Sequence, residues 1–233
     1  MNPPAEAGEV STEVGARAAR PARTGRPSRD EAAQLGERIL EVATAELLTR
    51  GYGATSIESI ARLAGVSKRT FYHRFADKPA LMSAVVVRLV DSLRPPPYVP
   101  LIEGRDLHSV LVHLGELILD AALSPRVLQL HRLIVAESGR FPELAIAVAQ
   151  AGGREEAVGL ISGLLLEHRP GAAGGRKAAA FAAQQFLQMI VSLPQMRALG
   201  MGAPTDDRER AAWVRQTVGL FLEGFGKSAG SRA

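Results

Sequence analysis

Apolar residues recur along nearly the whole chain at the three-to-four-residue spacing of amphipathic helices, with no sustained two-residue alternation. Leu35, Ile39, Val42, Ala43 and Leu47 trace one side of a helix over residues 31–50, which Gly51 stops. Ile57, Ile60, Ala61 and Ala64 form one face of a shorter helix, and Phe71 and Phe75 lie four apart on a third. Leu81, Met82, Val85, Val86, Leu89 and Val90 carry a fourth over residues 77–93, with Pro79 in its first turn and Arg94-Pro95-Pro96-Pro97 ending it. Six more helices are predicted over 106–123, 125–138, 142–151, 154–167, 176–199 and 206–225. Ser124-Pro125, Gly139, Phe141-Pro142, Gly152-Gly153, Arg169-Pro170-Gly171, Gly174-Gly175 and Gly202-Ala203-Pro204 separate them. No sheet is expected.

The second and third helices form a tight unit. Thr55 and Ser56 offer N-caps, although Ser59 stands where a capping box has Glu or Gln. Ala61 is small where crossing helices need close approach. Gly65 suits the left-handed C′ position, Val66 fills the corner, and Ser67 caps the next helix. With Phe71 and Phe75 inward, Lys68 and Tyr72, and Arg69 and His73, point outward, while Thr70 completes the exposed first turn. A small residue, a corner glycine, a hydroxyl cap and a basic outer face over an aromatic inner one together read as a helix-turn-helix. The second helix of that motif enters the DNA major groove.

Lys68, Arg69 and Thr70 are the expected base contacts, since Arg and Lys bond guanine O6 and N7 and a Thr methyl meets a thymine methyl. Thr55, Ser67, Tyr72, His73 and Lys78 are the expected phosphate contacts, with Ser56 in the same DNA-facing set.

Residues 35–93 resemble the DNA-binding domain of the TetR/AcrR family of bacterial regulators. The resemblance is carried by Ile39, Ala43, Leu47, Gly51, Tyr52, Thr55, Ile60, Ala61 and the run from Ala64 to Phe75, with Lys78, Leu81 and Val85. Arg69 departs from the Gly or Ala common there, Arg74 from an aromatic, and Pro79 from Glu. These departures bear on the DNA sequence read rather than on the fold. Residues 131–145 resemble the C-terminal domain of the AefR-like branch. The resemblance implies an all-α protein: an N-terminal three-helix helix-turn-helix DNA-binding domain, then a C-terminal helical ligand-binding and dimerisation domain.

The chain has 233 residues, enough for one or two domains with a sizeable core. Its Lys+Arg total of 28 only slightly exceeds its Asp+Glu total of 24. The distribution says more. Arg62, Lys68, Arg69, Arg74 and Lys78 face only Asp77 between positions 62 and 78, and positions 17–29 hold Arg17, Arg20, Arg23, Arg26 and Arg29 without an acid. Residues 1–29 lack hydrophobic periodicity and are expected to be a disordered basic arm, with Arg23 and Arg26 entering the minor groove. There is no cysteine, which excludes disulfides and thiolate chemistry and fits a cytoplasmic protein. No apolar run reaches membrane-spanning length, so no membrane partner is expected.

The expected divisions are the arm (1–29), the DNA-binding domain (30–76), a connecting helix (77–94), an effector-binding and dimerisation domain (95–226) and a disordered tail (227–233). Helix-turn-helix proteins bind as two-fold dimers because one short helix reads few bases. The last two long helices are apolar around much of their circumference. Phe181, Phe186, Ile190, Trp213, Val214 and Phe221 are the expected dimer contacts. Polar or polarisable groups within apolar patterns, namely His108, His113, Gln129, His131, Gln185 and Met189, are the candidates to line an effector cavity, whose ligand would be small and largely apolar.

An enzyme finds little support. His113 and Glu116 are three apart, but no second Glu-x-x-His accompanies them, and no phosphate loop, nucleophile elbow or His-Glu-x-x-His occurs. No catalytic residue, metal or cofactor is expected. The reading is a homodimeric repressor of a palindromic operator, released when an effector swings the connecting helix. The alternative is a DNA-binding regulator controlled by a protein partner or by abundance.

Overall fold

The computed structural model describes residues 29–168 and 175–228. Among them are ten α-helices and no strand. They are α1 (Arg29–Arg50), α2 (Ile57–Leu63), α3 (Lys68–Arg74), α4 (Lys78–Ser92), α5 (Leu107–Leu123), α6 (Pro125–Glu137), α7 (Glu143–Gln150), α8 (Gly153–His168), α9 (Gly175–Ala198) and α10 (Asp207–Ser228). The expected arm with Arg23 and Arg26, and the tail beyond Ser228, lie outside the described residues.

Short polar residues start the helices where the pattern places them. Ser56, Ser67, Asp77 and Asp106 each accept from the amide three residues on, which satisfies donors the first turn leaves unpaired. Asp106 and Ser109 cap each other reciprocally, which holds the Asp106 carboxyl below its ordinary value. The α10 helix runs past Gly226 to Ser228, because a glycine weakens a helix without obliging it to stop.

The buried side chains form two cores, and these do not follow chain order. The first joins α1–α4 to α6 and α7: Ile39, Leu47, Ile60, Phe71, Leu81 and Val86 pack with Leu130, Leu133, Leu144 and Ala147. The second joins α5 to α8, α9 and α10 through Leu111, Leu114, Ile161, Leu165, Phe186, Ile190, Val214 and Val218. The expected boundary after residue 94 therefore does not coincide with the packing, since α6 and α7 complete the reading head's core.

Four of the expected dimer contacts are interior residues of one chain. Phe186, Ile190, Val214 and Phe221 lie in the second core, where α9 and α10 turn their large residues against α5 and each other. Phe181 differs, being 62% exposed. Trp213 is half-buried and has a local task. Pro194 stands inside α9 and has no N–H, so the Ile190 carbonyl lacks its helical donor; the Trp213 indole Nε1 donates to that carbonyl at 3.0 Å.

Among the described residues no single helix is long and apolar enough to cross a membrane. Helices α5 and α6 meet that test only together, and they bend by 62° where they join.

Candidate nucleic-acid interface

The helix-turn-helix corner is set by one backbone turn. Gly65 takes φ +67°, where a Cβ would be strained, and the Val66 amide donates to the Ala61 carbonyl at 2.9 Å. Ser67 Oγ accepts from the Thr70 amide at 3.1 Å and lies 2.8 Å from the Thr70 hydroxyl, so both hydroxyls serve the first turn of α3. Phe71 and Phe75 are buried against α1, α2 and α4. That leaves Lys68, Arg69, Tyr72 and His73 exposed on the outer side of α3. Among the described residues Arg69 makes no ion pair or side-chain hydrogen bond, so its guanidinium is unengaged.

Lys68 is not free in this state. Its ammonium pairs with Glu58 of α2 at 2.8 Å, both groups being exposed. Their hydrogen bond raises the Lys68 pKa and lowers that of Glu58. A phosphate or base edge must compete with that carboxylate.

Two expected phosphate contacts are corrected. Thr55 is 3% exposed and its hydroxyl donates to the Gly51 carbonyl at 2.7 Å, so it ties the α1–α2 turn together inside the head. Lys78 directs its ammonium to the Tyr52 carbonyl and over the Tyr52 ring, 4.1 Å from the centroid; burial pulls its pKa down. Both signatures that suggested phosphate binding, a hydroxyl and an ammonium beside the motif, are consumed by the turn that supports it. Ser56 remains exposed as the cap of α2, its oxygen accepting from Ser59 N at 3.1 Å.

The turn Gly51-Tyr52-Gly53 is also the meeting point of distant segments. Glu137, the last residue of α6, accepts from Tyr52 N at 3.0 Å with one oxygen and from Gly53 N at 2.7 Å with the other. The Tyr52 hydroxyl donates to Glu143 of α7 at 3.0 Å, and its ring meets Phe141 edge-on at 5.0 Å. Burial, and then Glu143, push the Tyr52 pKa above its ordinary value. Gly51 has φ +84°, and a Cβ there would overlap the Glu137 carboxylate. Two glycines around an aromatic hinted at a crowded turn, but no local signal pairs it with an acid more than 80 residues away.

Arg74 has a comparable task. It reaches back to α1, donating to the Ala32 carbonyl at 3.0 Å, and its guanidinium occupies the space a side chain at Gly36 would need.

The six expected effector contacts do not converge. His108, Gln129 and Gln185 are exposed, while His113 Nε2 is engaged by the Pro100 carbonyl at 2.8 Å. His131 and Met189 are half-buried on α6 and α9. Leucine, isoleucine and phenylalanine side chains fill the interior among α5, α8, α9 and α10 instead. A concavity of about 240 Å³ lies elsewhere, between the end of α9 and the start of α10. Leu193, Pro194, Arg197, Arg210 and Trp213 are among its lining, and none of the six is.

Residues 39–85 match the family model for bacterial regulatory proteins of the tetR family. Residues 109–227, just over half of the chain, match that for the AefR-like transcriptional repressor C-terminal domain. The flavonoid-responsive regulator FrrA is 27% identical at a TM-score of 0.68, over 86% of this chain and all of FrrA (100%). A TetR-family structure from Mesorhizobium loti is 26% identical at a TM-score of 0.67, over 85% of this chain and 98% of its own. The HTH-type transcriptional regulator AlkX of Mycobacterium tuberculosis is 34% identical over 61 residues, and that match spans 26% of this chain and 29% of AlkX. With an exposed α3 over a closed helix-turn-helix core and both family models matched in chain order, the chain belongs to the TetR family of helix-turn-helix transcriptional regulators.

Proposed function

We propose that this protein is a homodimeric repressor that reads a two-fold DNA operator through α3 and is released by a small organic effector. The observation that carries the reading is the outer face of α3, where the unengaged Arg69 stands beside Lys68, Tyr72 and His73 over a buried Phe71. Arg69, Lys68 and Thr70 reach base edges; Tyr72, His73, Ser67 and Ser56 hold phosphates. The AefR-like match supports repression, and FrrA, named for its response to flavonoids, supports an organic, largely apolar effector.

Dimerisation follows from reader size, since one seven-residue helix spans few base pairs. With Phe186, Ile190, Val214 and Phe221 interior, the proposed contact face moves to the outer stripes of α9 and α10. Phe181 and the 65%-exposed Leu220 are its apolar members, with Gln185, Ala212 and Gln216 around them. Two readers would then sit about one DNA turn apart, roughly 34–36 Å. Divisions of labour along the chain follow the packing: a head of α1–α4 with α6 and α7 reads, and a body of α5 and α8–α10 pairs and senses.

A salt-varied binding titration on the DNA upstream of the protein's own gene, against scrambled DNA, tests the reading. Tight, selective, salt-sensitive binding with a palindromic footprint is expected. Equal binding to both sequences, and to every fragment in a genome-wide selection, would refute it.

A further inference from the structure

A dimeric reader selects half-sites by spacing only if each recognition helix is held rigidly on an element that is itself tied to the pairing helices. Helix α6 is such an element, since it follows α5 directly after Ser124 and its Arg132 donates to the Ala198 carbonyl at the end of α9 at 3.3 Å. The apolar contacts of Leu130, Leu133, Leu144 and Ala147 with the head are non-directional and permit small rotations. The attachment at the α1–α2 turn is directional. Glu137 places one oxygen on each of two successive amides, Tyr52 N at 3.0 Å and Gly53 N at 2.7 Å, immediately before the helix that leads into α3. Two bonds from one planar group fix an angle as well as a distance. The turn is shaped for it, since a side chain at Gly51 would overlap the carboxylate. Glu143 on the Tyr52 hydroxyl, the Phe141 ring and Lys78 on the Tyr52 carbonyl brace the same turn from other sides.

We propose that Glu137 is a positioning residue for operator reading: its two-point hold on the Tyr52–Gly53 backbone sets the angle of α3 on α6, and so makes the dimer selective for half-site spacing. It touches no DNA. The inference rests on the dimeric reading above.

The experiment measures affinity for synthetic duplexes of the selected palindrome whose central spacer is changed by one or two base pairs. Full-length wild type, Glu137→Gln, Glu137→Ala and Trp213→Phe are compared. Wild type should lose about tenfold or more on a two-base-pair change. Glu137→Ala should lose about threefold or less, with an unchanged salt slope because no phosphate contact is removed. Glu137→Gln, which keeps the shape and one acceptor, should fall between. It carries the test alone if Glu137→Ala does not fold. Trp213→Phe weakens the other core and should keep the wild-type profile.

A Glu137 variant as steep as wild type overturns the proposal. So does equal flattening in Trp213→Phe, which would assign the effect to lost stability. A flat wild-type profile with a monomeric mass in sedimentation overturns the dimeric reading and this inference together, whereas a steep wild type with steep Glu137 variants overturns this inference alone.

Discussion

Replacing Trp213 with Phe isolates one hydrogen bond. Pro194 has no N–H to offer the Ile190 carbonyl, and Ile190 is 0% exposed, so water is poorly placed to replace the indole donor. Leaving a buried carbonyl unsatisfied costs about 1–3 kcal/mol, and the smaller ring adds a fraction more through lost packing. A loss of about 2 kcal/mol is expected, which for a protein of this size lowers Tm by roughly 4–8 °C. Trp213 is the sole tryptophan, so unfolding must be followed by circular dichroism rather than by indole emission. The decisive comparison repeats the change in a Pro194→Ala background. There the alanine amide can donate to Ile190, and the loss should shrink by about 1 kcal/mol or more. Equal losses in both backgrounds, or a loss below about 0.5 kcal/mol in the native one, would refute the account of Trp213 as the cap of a proline-made gap.

Arg69→Ala should weaken specific binding by about 1–3 kcal/mol and relax selection at one base step, which a binding-site selection on the variant reads directly. Lys78→Met should cost about 0.5–1.5 kcal/mol of stability, because the Tyr52 carbonyl loses its charged donor and keeps only the Thr55 amide at 3.3 Å, while the salt slope of DNA binding stays within a fraction of a unit; a slope lower by about one would restore Lys78 to the phosphate contacts. Glu58→Gln releases Lys68 and should raise affinity for DNA about two- to fivefold at low salt, an effect that fades as salt is added. Tyr52 governs an alkaline window. Its folded pKa is raised by burial and by Glu143, so the native state keeps a proton that the unfolded chain releases. That stability is complete below about pH 10 and is lost as pH rises above it. Urea unfolding from pH 9 to 11.5 should show a smaller alkaline loss in Tyr52→Phe, and parallel curves would contradict the assignment.

Local rules made the helices legible. The Ser67 cap, the Gly65 corner and the Phe71/Phe75 inner face are each written within a few residues, and the structure places them as their chemistry demands. Assignments that depend on how helices meet were not local. Phe186 and Val214 read as surplus apolar area on long helices, but the surplus is taken up by α5, whose Gly115 lies where a Cβ would crowd Ile190 and Val214. Thr55 and Lys78 carry the right groups for phosphate, yet a backbone turn reaches them first. Glu137 had no signal at all, because its partners are amides and any residue supplies an amide.

The interleaving of the two cores bears on how the chain folds as it is made. After α4 is synthesised the head still lacks Leu130, Leu133, Leu144 and Ala147, so its core cannot close until α7 has emerged. By then α5 has already appeared, while its partners α8, α9 and α10 have yet to be synthesised. Nascent chains of intermediate length therefore present the apolar side of α5, with Val110, Leu111, Leu114 and Leu119, to whatever surrounds the ribosome. Slow translation beyond residue 151 would lengthen that exposure, and fragments ending between α5 and α9 would be the species most in need of a chaperone.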